Sequence, residues 1–196
     1  MREAEQTALT NLQLKYDELN QLVATFSETF FELDKEEAKR RFEECLFWFF
    51  VDGYSSGILM LDVDDLVLPN GYEFLDIRYP DGETVLEKFD KYFDEKDAEH
   101  MTVLTDSEAH RMYNTGGKMA ADDAVEKHGG TVMKRWNTMQ DDRVRDMHWM
   151  LEGNTIPYEE DFVTEDGDYG WGPGLFQTAE NNANCRCWLT YERRDE

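Results

Sequence analysis

Three residues in this sequence carry the donor types of a metal site or a nucleophilic centre: His148, Cys185 and Cys187. One imidazole and two thiols suit zinc, and Asp142 or Asp146 would complete a mixed N, S and O set. The same groups admit a catalytic reading, with a cysteine nucleophile beside a histidine base or a metal-activated water. A structural reading stands beside both. In it the cysteines are small apolar residues on the buried face of a strand, His148 bonds a backbone carbonyl, and Arg145 and Arg186 pair with nearby acids. Spacing allows convergence in each case. If residues 144–151 form a helix, Arg145 and His148 share a face, and Cys185 and Cys187 share one face of a strand.

The elements that position these residues are legible from caps and periodicity. Thr105-Asp106-Ser107-Glu108 reads as a capping box heading a long helix, and His128-Gly129-Gly130 as its C-cap. A strand over 131–138 follows, then a turn at Asp141-Asp142 and the short helix over 144–151, closed by Gly153. Further short strands are predicted over 155–158 and 185–191. Between them runs a Gly- and acid-rich loop, 161–174, containing Trp171-Gly172-Pro173-Gly174. Its length marks it as either functional or mobile.

The first half is patterned for helices. Leu9, Leu12, Tyr16, Leu19, Val23, Phe26, Phe30 and Leu33 recur at alternating steps of three and four, forming one apolar seam. That seam is either the core face of a bundle helix or a stripe that docks on another chain, with Leu12, Leu19, Phe26 and Leu33 as its contacts. Asp34 caps a second helix whose apolar set is Phe42, Cys45, Leu46, Phe49 and Phe50, folding back on the first. The run 45–51 is apolar all round, and Gly53 and Gly57 permit close packing or a break. Pro69-Asn70-Gly71 predicts a hairpin turn, and a short amphipathic helix follows with Val85, Leu86, Phe89, Tyr92 and Phe93. The uneven acidic stretch 94–99 is the expected boundary between a helical region, 1–100, and a second domain, 101–196. The fold class is α+β: a helical hairpin or bundle, then helices packed on a few short strands.

Charge narrows the partners. Against 44 acidic residues stand 20 basic ones, a net charge of −24. Such a chain repels phosphate backbones, so general or sequence-specific nucleic-acid binding is not expected, and a basic partner face is favoured. Twelve Phe, nine Tyr and five Trp supply a core, which excludes a disordered acidic tail. No run approaches the length of a membrane span, and the opening residues lack the apolar stretch of a signal peptide, so a cytoplasmic site of synthesis is expected. Three cysteines make no secreted disulfide framework. His100, His110 and His128 read as surface histidines. Asp62, Asp64 and Asp65 lack the glycine and distal glutamate of a calcium loop.

Four segments together resemble a known family. They are Glu108-Ala109-His110-Arg111-Met112-Tyr113-Asn114, Lys134-Arg135-Trp136, the stretch from Asp142 to Gly153, and Asn184-Cys185-Arg186-Cys187. In this order, with Pro173-Gly174 and Ala179-Glu180 before the last, they resemble the Mu F-like domain of phage minor head proteins, also called the head morphogenesis family. The resemblance covers roughly residues 105–192 and marks Arg135, Trp136, Asp142, Arg145, Gly153, Asn184 and Arg186 as family positions. It implies a non-enzymatic minor capsid component of a tailed phage or prophage, bound to the portal or inner capsid surface and aiding genome packaging or delivery. It also implies several copies in the particle, a place in the head interior or portal vertex, and residence in the host cytoplasm during assembly. Some relatives carry a toxin domain after the Asn-Cys-Arg-Cys strand; none is expected here, where nine residues follow Cys187. No cofactor is required, zinc being the one candidate. Two rivals remain: a metal-dependent hydrolase or nuclease-like effector using His148 and the cysteine pair, and a transient assembly chaperone.

Overall fold

A computed structural model describes residues 3, 6–7, 10–12, 14–15, 18, 30–68, 75, 78–79 and 81–194. The described residues before Phe30 that carry the seam reduce to Leu12, which is helical and fully buried. Leu33 is half-buried against the same core. Both therefore take the core role, while Leu19 and Phe26 lie outside the described residues, as does the Asn70-Gly71 turn.

After a 3-10 turn, Phe30–Glu32, helix α1 runs Lys35–Leu61. Its N-cap is Asp34, whose carboxylate accepts from the Glu37 amide at 3.0 Å. Phe42, Leu46, Phe49 and Phe50 are buried and Cys45 is half-buried, but Trp48 is 58% exposed. The apolar run is thus covered on several sides, with Trp48 the one residue of the seven left exposed. Helix α2, Val85–Glu95, opens on a complete capping box of Thr84 and Glu87. Helix α3, Ala98–His128, is the long one. It starts seven residues before the expected box, because Asp97 caps it by accepting from the His100 amide at 3.0 Å. Thr105 instead lies inside the helix, its hydroxyl donating to the Met101 carbonyl four residues back.

Helices α1 and α3 meet backbone to backbone. A Cβ on Gly53 would lie 1.9 Å from the Tyr113 carbonyl oxygen, and one on Gly116 would lie 2.1 Å from that of Phe50. Only glycine permits this approach. It brings the apolar faces of both helices, with Val85 and Phe89 of α2, into one cluster. Trp188, near the C-terminus, belongs to that cluster too, so the core runs across the boundary expected near residue 100.

Strand β1, Thr131–Asn137, is the centre of an antiparallel sheet with β2, Thr155–Pro157, on one side and β5, Trp188–Arg194, on the other. Registers such as Lys134 opposite Ile156 and Trp136 opposite Leu189 fix which side chains share a face. Val132, Lys134 and Trp136 alternate inward toward a second core cluster with Leu151, Phe162, Phe176 and Tyr191. Between β1 and β2 sits the short helix α4, Asp146–Trp149, and Gly153 follows it at φ +78°. The architecture is α+β: long N-terminal helices, then short strands and helices.

The Gly-rich loop has built order. It contains the hairpin β3–β4, Phe162–Val163 and Tyr169–Gly170, followed by helix α5, Ala179–Asn182. Asp168 organises it: one carboxylate oxygen accepts from the Tyr169 amide at 2.9 Å and the other from Thr178 Oγ1 at 2.6 Å and Asn181 Nδ2 at 2.8 Å. Burial pushes this carboxyl up, but those donors outweigh burial and hold it below the usual range.

Candidate metal centre

His148 is carried on the single turn of α4 and is the buried residue of that turn. Its ring meets Trp136 edge to face, centroids 5.4 Å apart, and stacks on Phe176 at 5.9 Å. Cys185 and Cys187 reach the same point from the other end of the chain. They lie ahead of β5 rather than within it: the Cys185 amide donates to the Asn182 carbonyl at 3.2 Å, and Asn184 adopts φ +54°. This bend, available to asparagine, replaces the expected strand at its first residues. The chain beyond it still alternates, turning both sulfurs inward and Arg186 the other way.

The result is a compact triad. His148 Nδ1 stands 3.5 Å from Cys185 Sγ and 3.6 Å from Cys187 Sγ. All three side chains are buried, at 1%, 3% and 2% exposure. Among the described residues this is the group of histidine, cysteine and carboxylate donors that can surround one ion. The two thiols are electrostatically unlike. A hydrogen bond from Cys187 and the neighbouring His148 pull Cys185 well below the ordinary thiol range, against burial, and the same contact with burial pushes Cys187 well above it.

Neither Asp142 nor Asp146 joins the triad; both are exposed. Asp146 sits two residues before His148 on the same helical turn, which sends its carboxylate to the opposite face. The hydrogen bond expected from His148 to a carbonyl gives way to the two sulfurs at Nδ1.

The family positions form the frame. Arg186 makes a two-pronged pair with Asp141, at 2.8 and 2.6 Å, and this guanidinium holds the Asp141 carboxyl below its ordinary range. Arg145 donates to the carbonyl of Ala183 rather than to an acid. Both contacts tie the segment carrying His148 to the segment carrying the cysteines. Trp136 is fully buried and walls the triad, its ring edge to face with that of His148. Arg135 lies beside Gly153, its guanidinium 3.6 Å from where a Cβ would stand. Asn184 donates its main-chain N–H to Ser107 Oγ on α3 at 2.8 Å.

Several contributors carry no motif of their own. Asn114 of α3 donates to the Cys187 carbonyl at 3.1 Å and accepts from the Leu189 amide at 3.1 Å. Lys134 is wholly buried, its ammonium 2.7 Å from the Trp171 carbonyl and 4.0 Å from the centre of the Trp171 ring. Its signal in the sequence is a lysine between two inward residues of a strand, Val132 and Trp136. His110 is buried, not superficial: its Nδ1 donates to the Asp106 carbonyl at 2.9 Å and its ring lies beside Phe49. Helix α3 is covered on both sides there, which a periodicity argument for one face does not show. His100 and His128 are paired with Asp97 and Asp65.

Comparison with known proteins adds a second line. Residues 81–190 match the family described as Phage Mu protein F like protein. A curated relative, the minor head protein GP7 of Bacillus phage SPP1, is 34% identical over 85 residues. That stretch is 43% of this chain and 27% of the relative, so the chain aligns with about a quarter of the relative's length. No solved structure matches.

Proposed function

The chain belongs to the Phage Mu protein F like family, and on that premise we propose that it is a structural minor head protein of a tailed phage or prophage. In this reading it acts in head morphogenesis by binding the portal or the inner capsid surface, in several copies, and aids genome packaging or delivery. The observation that carries the reading is the family match over 81–190, which takes in the whole of the buried frame around His148. The relative's description as a minor head protein agrees with it.

Charge and surface support the same role. With 44 acidic and 20 basic residues the chain is repelled by packaged DNA and attracted by basic protein faces. Among the described residues no helix is long and apolar enough to cross a membrane. On α1, Trp48 and Leu59 are 58% and 52% exposed. They stand about three helical turns apart on one face, with the polar Asp52 and Ser55 between them, so they form two separate apolar anchors. A large exposed tryptophan is a frequent interface anchor.

The experiment is complementation of a phage lacking the gene with the variant Trp48→Asp, Leu59→Asp. Both side chains are exposed, so the variant keeps its fold by circular dichroism. Its content in purified particles falls by roughly tenfold or more, the loss of one interface anchor worth about 2 kcal/mol. Wild-type content in the folded variant would remove this face from the docking account.

A further inference from the structure

We propose that His148 Nδ1, Cys185 Sγ and Cys187 Sγ hold one zinc ion, which joins the α4 segment to the lead-in of β5. The argument is geometric. Zinc bonds of about 2.0–2.1 Å to nitrogen and about 2.3 Å to sulfur, set at the tetrahedral angle, place N and S about 3.6 Å apart. The triad shows that edge twice, at 3.5 and 3.6 Å.

A hydrogen-bonded alternative explains less. A ring nitrogen without a proton has one lone pair and accepts one thiol proton. A neutral chain from Cys187 S–H to Cys185, and from Cys185 S–H to Nδ1, uses one sulfur–nitrogen contact and leaves the second, equally close one without cause. Two sulfurs at nearly equal range from one nitrogen, with all three donor atoms within 4.8 Å of one another, suit ligands around a shared centre; an imidazolium N–H shared by both sulfurs would give the same two distances, and elemental analysis separates the two.

Donor type and surroundings select the metal. Two thiolates and an imidazole suit zinc and exclude magnesium and calcium, which take oxygen ligands. The donors are enclosed by Trp136, Phe162 and Phe176, whose rings lie 5.2 and 5.7 Å from one another through Trp136. In such an enclosure thiolates need a cation to offset their desolvation. The frame is also preorganised: Arg186 on Asp141, Arg145 on the Ala183 carbonyl and Asn114 on the Cys187 carbonyl fix both ligand-bearing segments. Among the described residues no further histidine, cysteine or carboxylate joins the group.

The test uses the full chain, expressed without a metal-binding tag and purified under reducing conditions. Elemental analysis should give about one zinc per chain in the wild type and in Cys45→Ser, and less than a tenth of that in Cys185→Ser, Cys187→Ser. Cobalt(II) exchanged into the wild type should show the thiolate-to-metal charge-transfer absorption, a readout that stands even where the double variant fails to fold. A folded wild type that contains no zinc and takes up none on titration would overturn the proposal. So would zinc retained by the double variant, a cobalt spectrum without thiolate bands, or a mass lower by the two hydrogens of a Cys185–Cys187 disulfide.

Discussion

Asn114 holds Cys187 in place from the middle of α3: its Nδ2 donates to the Cys187 carbonyl at 3.1 Å, across 73 positions of sequence. The same amide group accepts from the Leu189 N–H, so one side chain caps the main chain where the cysteine segment becomes β5. No other described contact anchors the cysteine turn to the long helix in this two-sided way.

Replacing Asn114 with leucine, which keeps the branched four-atom side chain without its polar groups, should therefore destabilise the protein by about 3 kcal/mol. The change leaves a buried carbonyl and a buried N–H without partners, at about 1–3 kcal/mol each. Urea unfolding measures it, and a loss below about 1 kcal/mol would show that water or a shifted main chain satisfies both groups.

Lys134 gives the protein a specific pH dependence. Burial lowers its ammonium to about 7, against the attraction of Asp161 and the carboxylates beside it. The unfolded chain holds this proton up to about pH 10.4, so above pH 7 the unfolded state binds more protons than the folded one. Stability from this group rises with pH in that window, by about 2 kcal/mol from pH 7 to roughly pH 9. Subtracting the curve of Lys134→Met from that of the wild type isolates the effect, since other titrating groups are common to both. Parallel curves would mean that Lys134 stays charged in the fold.

Local signals in the sequence carried over well where the determinant was itself local. The Asp34 cap, β1 with its inward Val132 and Trp136, the turn of helix at His148 and the closing Gly153 depend on neighbours within a few residues. The start of α3 did not carry over, because Thr105 and Glu108 have the composition of a capping box while the true cap, Asp97, lay in a stretch that reads as a linker. Gly53 signals close packing, but its partner Gly116 sits beyond the next helix, and only the assembled pair explains either residue.

The candidate centre was legible in its members and not in its frame. Histidine and two cysteines announce their chemistry by type. That Asp142 and Asp146 stay outside depends on a single turn of helix, and that Cys185 and Cys187 precede the strand depends on the left-handed bend at Asn184. Asn114 and Lys134 owe their roles to contacts 73 and 37 positions away, which no spacing rule reaches. Asp168 likewise becomes an organiser only when Thr178 and Asn181 fold onto it.

The most direct test of the head-protein account is quantitative mass spectrometry of purified, DNA-filled particles of the phage or prophage that encodes this chain. The account predicts the chain at a fixed number of copies relative to the major capsid protein, unchanged between preparations and after salt washing. Its absence from mature particles, with presence in immature ones, would contradict a structural component and identify a transient assembly factor instead.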